Sequence, residues 1–315
     1  MLHELEMRQV FCDTLIELAR QDPDLILLDA DLQRTNGIIA YAASCPRQYI
    51  DVGIAEQNMI GVAAGLAAAG KKPFVISFVP FIARRPCDQV TISVAYAKLN
   101  VKMIGTTPGI TAEYNGGTHM SFEDLSILRS IPGMTIIAPC DAYELRSCLR
   151  EIVDFPGPVY LQLIRTQMPP VFDESYQFRP GRALVLEEGT DVAICATGWM
   201  THVALEAGAL LKKQGIAAKV IHAATVKPLD EELLVAAARE TGCLVTAENH
   251  NVLGGLGGAV CELLAERYPV PVRRIGVRDR FGEVGSLAFL QEKFNLRAAD
   301  IVRACHEVME RKRAV

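Results

Sequence analysis

Short apolar runs alternate with longer segments whose apolar residues recur every three or four positions. The short runs predict buried strands, and the periodic segments predict helices. Strands are expected at 25–29, 73–77, 101–105, 135–138 and 159–163, and helices at 8–20, 61–69, 86–98, 123–130 and 142–154. Strands that alternate with helices over short connections are typical of a parallel sheet with helices on both faces.

This alternation stops between Met168 and Gly181, where three prolines and several small polar residues predict an extended linker. A second α/β pattern follows, with strands expected at 192–196, 218–221, 244–246 and 272–275 and helices at 201–214 and 229–240. The fold predicted is therefore two consecutive α/β domains, at 1–170 and 183–315, joined by a linker at 171–182.

A glycine-rich loop at 254–258 leads into a further predicted helix. It lacks the last small residue of a dinucleotide fingerprint, and no acidic residue ends a following strand as that fingerprint requires. We interpret this loop as structural.

Composition narrows the classes of function. The chain has 315 residues, half of them hydrophobic, and a net charge of −5, which suits two ordinary domains. Its scattered Lys and Arg residues argue against a nucleic-acid surface, and no apolar run of about 18 residues or leader-like segment is present. The cytoplasm is the expected compartment. The nine cysteines occur singly, so buried free thiols are expected rather than disulfides or a metal site.

Glu56 is the one carboxylate within a segment of apolar and small residues. A carboxylate in such surroundings favours its neutral form and can share a proton near neutral pH. Alternatively, Glu56 complements the positive end of a buried helix. The local pattern leaves both interpretations open. Small residues at helical spacing follow it and predict an interface: Gly61, Ala64, Gly65 and Ala68.

The stretch 51–59, Asp-Val-Gly-Ile-Ala-Glu-Gln-Asn-Met, resembles the segment of thiamine diphosphate enzymes of the transketolase group that carries the glutamate facing the aminopyrimidine ring. The resemblance continues, in the family's order and spacing, at 70–81, 85–89, 116–119, 123–125, 129–134 and 138–141. It covers the chain from Met7 to the C-terminus. It implies a thiamine-pyrimidine-binding domain followed by a transketolase C-terminal-like domain.

The resemblance also implies roles around thiamine diphosphate. Glu56 would hydrogen-bond the ring nitrogen of the aminopyrimidine, and Phe78 and Phe81 would stack on that ring. Asp31 matches a carboxylate that approaches the cofactor across the subunit interface, and His119 matches the histidine that contacts the ketol oxygen. Without the resemblance, the two phenylalanines would be core residues, Asp31 a turn or cap residue, and His119 a loop histidine.

Some of the residues expected to bind the substrate match those of the family, and others differ from them. Arg8, Thr35 and Arg165 match the set that holds the distal anion of the sugar, for which guanidinium groups are suited. Thr107 stands where transketolases usually have a second histidine, and Asn115 stands where they have an aspartate. The implied donor is therefore an anionic ketose, phosphorylated or sulfonated, that need not be a standard pentose phosphate. Arg84 also replaces an aromatic residue that is common in single-chain transketolases.

A Gly-Asp-Gly motif, which marks the diphosphate-binding module of the family, is absent from this chain. The resemblance therefore predicts the C-terminal subunit of a split transketolase, which transfers a two-carbon ketol unit to an aldose. An N-terminal subunit would hold the diphosphate through Mg²⁺ or Ca²⁺, with two copies of each subunit and no metal on this chain.

Three alternatives stay open. They are a beta subunit of a 2-oxo acid dehydrogenase, a deoxyxylulose-phosphate synthase-like enzyme and a noncatalytic scaffold. A scaffold would need none of Glu56, Phe78, Phe81 and His119, so their joint presence argues against it.

Overall fold

The computed structural model describes residues 1–313, which form two compact units. The first unit holds Met1–Pro108 and Ile127–Arg179, and the second holds Gly109–Ser126 and the residues from Pro180 onward. The domain limits at 1–170 and 183–315 stay a prediction.

The regular elements are numbered in chain order. The strands are β1 Leu25–Asp29, β2 Tyr49–Asp51, β3 Lys72–Phe78, β4 Lys102–Thr106, β5 Thr135–Ile137, β6 Val159–Leu163, β7 Leu184–Glu187, β8 Val192–Ala196, β9 Ala218–His222, β10 Thr225–Lys227, β11 Leu244–Asn251 and β12 Val272–Val277. The helices are α1 Met7–Gln21, α2 Gln33–Asn36, α3 Ile39–Ser44, α4 Glu56–Ala68, α5 Val79–Ala83, α6 Asp124–Arg129, α7 Ala142–Ile152, α8 Met200–Lys213, α9 Glu231–Thr241, α10 Leu256–Arg267, α11 Leu287–Phe294 and α12 Ala298–Arg313. Short 3₁₀ helices cover Leu2–Glu4, Pro46–Gln48 and Gly109–Asn115, and a π-helix covers Gln89–Tyr96.

Six strands of the first unit pair in the order β5-β6-β4-β3-β1-β2, and each of these pairs is parallel. All five residues of β1, β4 and β6 are buried, as expected for strands covered on both faces. Parallel strands place their carboxyl ends at one edge, where open α/β sheets bind ligands. Phe78 ends β3 there, Asp31 and Thr107 come just after β1 and β4, and Arg165 comes just after β6.

The sheet of the second unit has the order β12-β11-β8-β9-β7. Its strands pair in parallel except β7, which runs antiparallel to β9. The apolar runs predicted β8 and the strands beside it, whereas β7 was not predicted because its residues are half-buried or exposed.

The glycine loop at 254–258 binds a carboxylate of the chain itself. The backbone N–H groups of Leu256 and Gly257 donate to the two side-chain oxygens of the fully buried Glu248, at 2.7 and 2.9 Å. A Cβ at Gly255 would lie 2.0 Å from Oε2 of Glu248, so this position has room only for glycine. Burial raises the pKa of Glu248. The loop therefore binds the Glu248 side chain of the same chain at the start of α10. This agrees with our interpretation of the loop as structural.

The prediction of two consecutive α/β domains is confirmed. All nine cysteines are free thiols, seven of them buried, as the sequence predicts. None of the helices within residues 1–313 combines the length and the hydropathy needed to cross a bilayer.

Candidate active site

Glu56 is the first residue of α4, and only 2% of it is exposed. Its Oε2 accepts a hydrogen bond from Nη1 of Arg85 at 2.6 Å, which forms an ion pair. The Arg85 side chain is 42% exposed, so the carboxylate of this pair is buried and the guanidinium reaches solvent. Glu56 therefore lies at the start of a helix, as one interpretation predicts, and its role in sharing a proton stays a prediction.

Phe78 and Phe81 lie beside this ion pair. Their ring centroids are 6.0 Å apart and their planes are inclined at 59°. The guanidinium carbon of Arg85 lies 4.1 Å from the centroid of Phe81. One planar group with N–H donors therefore lies over Phe81 and donates to Glu56. The sequence resemblance assigns the same two contacts to an aminopyrimidine, and this role stays a prediction.

The residues expected to bind the distal anion come together. Nη1 of Arg8 and Nη1 of Arg165 donate to the Thr35 carbonyl oxygen at 3.0 and 3.3 Å. Arg8 also donates from Nε to Oε2 of Glu6 at 2.6 Å. Two guanidinium groups thus converge on one turn, although they meet the backbone of Thr35 rather than its hydroxyl. Such a pair suits a tetrahedral oxyanion.

Asp31 and Thr107 both have a left-handed backbone, with φ of 60° and 58°. Non-glycine residues rarely adopt this conformation, and it concentrates at functional sites. The segments before them are joined, since Asn36 donates to Oδ1 of Asp29 at 3.3 Å and accepts from Thr106 at 3.0 Å. Burial raises the pKa of Asp29 to about 6. This buried polar network fixes the two strand ends from which Asp31 and Thr107 project.

Asn115 and His119 lie in the part of the chain that groups with the second unit. Asn115 is exposed, and His119 is half-buried with its Nδ1 2.9 Å from Oγ1 of Thr118. A Cβ at Gly117 would lie 2.5 Å from the carbonyl oxygen of Gly282, so backbone contact holds this loop. We call residues 115–120 the His119 loop.

Two family descriptions match the chain. "Transketolase, pyrimidine binding domain" matches residues 3–170, and "Transketolase, C-terminal domain" matches residues 181–301. The chain belongs to the transketolase family.

Named relatives agree with this assignment. This transketolase chain is 54% identical to the 6-deoxy-6-sulfo-D-fructose transketolase subunit SqwH of Clostridium sp. (strain MSTE9), over 99% of this chain and 97% of that protein. It is 41% identical to an apulose-4-phosphate transketolase subunit of Phocaeicola vulgatus, over 86% of this chain and 87% of that protein. It is also 38% identical to the 1-deoxy-D-xylulose-5-phosphate synthase of Heliobacterium modesticaldum, over 97% of this chain but 47% of that protein.

A solved structure has the same fold. It is described as "Split gene transketolase, inactive beta4 tetramer", and it superposes with a TM-score of 0.89 at 43% identity. The match covers 97% of this chain and 98% of that one. The predicted resemblance to a split transketolase subunit is confirmed, and transketolases depend on thiamine diphosphate.

Three residues of this transketolase site were missed by the sequence interpretation: Arg85, Asp29 and Asn36. Arg85 follows Phe81 by four positions, a spacing that brings side chains together on a helical turn. Asp29 is a charged residue at the end of an otherwise apolar strand, which is itself a signal. Asn36 lies on α2 and offers no local signal, because its partners Asp29 and Thr106 lie at the ends of two strands.

Proposed function

We propose that this chain is the pyrimidine-side subunit of a two-component transketolase. It takes part in transfer of a two-carbon ketol unit from an anionic ketose to an aldose. Thiamine diphosphate, when bound, supplies the carbon nucleophile that accepts this unit.

One observation carries the proposal. A continuous series of contacts inside the first unit runs from Glu56 through Arg85 to Phe81, and from Phe81 to Phe78. The series continues because the guanidinium carbon of Arg165 lies 5.4 Å from the Phe78 ring, and Arg165 meets Arg8 at Thr35. The carboxylate expected at the cofactor and the cations expected at the substrate anion therefore belong to one wall. That wall suits a cofactor ring at one end and an anionic tail at the other.

The site residues have separate tasks in this proposal. Glu56 holds the aminopyrimidine nitrogen and keeps a proton there, while Phe78 and Phe81 pack against the ring. Asp31 supplies a carboxylate toward the cofactor, and Arg8, Thr35 and Arg165 bind the distal anion. His119, in the second unit, holds or moves a proton at the ketol oxygen, since an imidazole has one ring nitrogen that donates and one that accepts.

The anion and the sugar hydroxyls define the substrate class. The names of two relatives contain a sulfonated and a phosphorylated sugar, and both groups are tetrahedral oxyanions. Thr107 lacks the imidazole, and Asn115 lacks the carboxylate, that transketolases usually use to contact the sugar. Asn both donates and accepts hydrogen bonds where Asp only accepts, so a different hydroxyl pattern can be tolerated. We therefore propose an anionic ketose other than xylulose 5-phosphate as the preferred donor.

A second polypeptide completes the enzyme in this proposal. Two relatives that this chain nearly spans are called subunits, and the structural neighbour is described as a split-gene transketolase in an inactive beta4 tetramer. The partner carries the diphosphate-binding domain and holds the Mg²⁺ or Ca²⁺. Two copies of each chain form the assembly, since closed twofold assemblies predominate.

The experiment compares donors in the assembled complex. Specificity constants are measured for xylulose 5-phosphate, 6-deoxy-6-sulfofructose, apulose 4-phosphate and pyruvate, first with the wild-type chain. An anionic ketose other than xylulose 5-phosphate should give the highest value. The double variant Thr107→His with Asn115→Asp should then gain activity on xylulose 5-phosphate.

Two results would reject parts of this proposal. Turnover of pyruvate in preference to every ketose would favour one of the two alternatives that take a 2-oxo acid, the deoxyxylulose-phosphate synthase-like enzyme or the 2-oxo acid dehydrogenase. A wild-type preference for xylulose 5-phosphate, with no gain in the double variant, would show that Thr107 and Asn115 do not set the donor.

A further inference from the structure

A cavity of about 470 Å³ lies in the second unit, beside the carboxyl end of the edge strand β12 and against α11 and α12. Cavities of this size accommodate small metabolites. None of the site residues named above lines it. Its cationic lining residues are Arg273, Arg278, Arg280, Lys293 and Arg303.

Two carboxylates line the same cavity, and each already has a cationic partner. Glu307 pairs with Arg273, and Asp300 pairs with Arg303 at 2.9 Å. Lys293 pairs with Glu283, which does not line the cavity, at 3.5 Å. Five cationic lining residues thus accompany two anionic ones.

Within the described part of the chain, Arg278 and Arg280 are the lining cations without a carboxylate partner. Nη2 of Arg278 donates to the carbonyl oxygen of Arg274 at 3.0 Å, and within residues 1–313 neither guanidinium forms an ion pair. Asp279, which separates them in sequence, does not line the cavity. Two guanidinium groups are thus available to one ligand, and such groups form paired, charge-assisted hydrogen bonds with oxyanions.

Three of the lining residues are apolar, and we call them the apolar floor. Ile275 and Phe294 line it with 8% and 4% of their surfaces exposed, and Ala304 lies beside them. An inorganic ion gains nothing from such a floor, whereas a carbon skeleton buries apolar surface there. The combination of two available guanidinium groups and the apolar floor therefore favours an organic anion.

We propose that this pocket binds a small organic anion whose phosphate or sulfonate group is held by Arg278 and Arg280 and whose carbon skeleton packs on Ile275 and Phe294. This site is additional to the anion-binding residues on the first unit. The inference stands independently of which ketose the enzyme uses.

The pocket is connected to the His119 loop within the same unit. Arg280 is followed closely by Gly282, whose carbonyl oxygen would lie 2.5 Å from a Cβ at Gly117. A Cβ at Gly282 would in turn lie 2.6 Å from Sδ of Met120. The backbone at Gly282 packs closely against Gly117 and Met120. A ligand that restrains Arg280 therefore also restrains the loop that carries His119.

Calorimetric titration of the full chain tests the site. The probes are sn-glycerol 3-phosphate and 2,3-dihydroxypropane-1-sulfonate, which differ only in the anionic group. The titrations use an Arg165→Gln background, so that the predicted substrate anion site does not contribute. One saturable site is expected for at least one probe, and the stronger binder identifies the anion class. Adding Arg278→Gln and Arg280→Gln should weaken binding at least about tenfold, since two charge-assisted contacts are lost.

The control replaces two arginines outside the pocket, Arg267→Gln with Arg311→Gln, in the same background and should leave binding unchanged. Absence of saturable binding, or equal loss in the control, would overturn the site. Inorganic phosphate binding as tightly as both probes would overturn the role of the apolar floor. Hydrogen exchange should slow at 280–284 and 115–120 on binding, and no change at 115–120 would overturn the connection to the loop.

Discussion

The two residues expected to handle protons, Glu56 and His119, are supported in different ways. Glu56 begins a helix, is almost fully buried and has one strong partner, the Arg85 guanidinium. His119 lies on a half-buried loop whose position depends on glycine backbone contacts, notably Gly117 against Gly282. The first group is held by charge and burial, and the second by steric fit. Substitutions should therefore damage them through different mechanisms.

The difference also reflects where each residue lies in the fold. The first unit places Glu56 beside Phe81 and a parallel sheet in which β1, β4 and β6 are buried along their length. The His119 loop after Asn115 lies outside regular structure, and Glu113 before it has a φ of 46°. Rigid elements hold a binding wall precisely placed, whereas a loop can adjust to a sugar.

The largest expected effect comes from Glu56→Gln. This change keeps the shape but removes the shareable proton, and the loss of a positioned acid or base costs about 10²- to 10⁴-fold in rate. Turnover and exchange of the C2 proton of thiamine diphosphate are both followed in the assembled complex. Exchange as fast as in the wild type would show that Glu56 does not act on the cofactor. Glu17→Gln, at an exposed ion pair, serves as the control.

Gly117→Ala tests the steric support of His119. The added methyl group meets the Gly282 carbonyl and must displace the loop. A displacement of about 1 Å at a catalytic group can cost about 10²-fold in rate, so a loss of that order is expected with little change in overall secondary structure. Steady-state kinetics and circular dichroism measure the two quantities. Unchanged turnover would mean that the loop position does not matter for catalysis.

Arg85→Leu tests the electrostatic support of Glu56. The buried carboxylate then lacks its partner, which should lower the free energy of unfolding of the isolated chain by about 1–3 kcal/mol. Urea denaturation measures this quantity. The double variant Arg85→Leu with Glu56→Gln should lose less, because no charge remains to be paired. An equal or larger loss in the double variant would contradict the ion pair's role.

Gly61→Ala should have the smallest effect and the opposite sign. No atom lies within 4 Å of a Cβ at Gly61 or Gly65, so this face of α4 is open within the chain. Alanine favours a helix over glycine by about 1 kcal/mol, and the isolated chain should become more stable by up to that amount. If the face packs on a partner chain, the larger residue weakens assembly. Ultracentrifugation of the complex shows whether the gain in the stability of the chain is accompanied by weaker assembly.

Much of the fold could be predicted because its central strands are buried on both faces. The limits of β1 and β6 agree with their apolar runs, since such runs end where the chain leaves the sheet. β2 was missed because it has three residues and no buried one. The helix predicted at 86–98 is a π-helix at Gln89–Tyr96, a distinction that hydrophobic periodicity does not resolve.

The site could be predicted only in part, for a related reason. Matching motifs identified Arg8 and Arg165, and the structure adds that both meet the Thr35 carbonyl. The Arg85 ion pair and the Asp29–Asn36–Thr106 network depend on contacts between segments distant in sequence. Local patterns can single out Arg85 and Asp29 but do not identify their partners, so these contacts emerged only from the structure.

The most direct test of the central claim is ketol transfer by this chain with and without a diphosphate-binding partner. A pulldown isolates the partner, recognised by Gly-Asp-Gly and a downstream Asn, and both chains are then purified. The chain alone should turn over no ketose, and the mixture should transfer a two-carbon unit from an anionic ketose in the presence of thiamine diphosphate and Mg²⁺. Substantial, magnesium-dependent transfer by the chain alone would contradict the account.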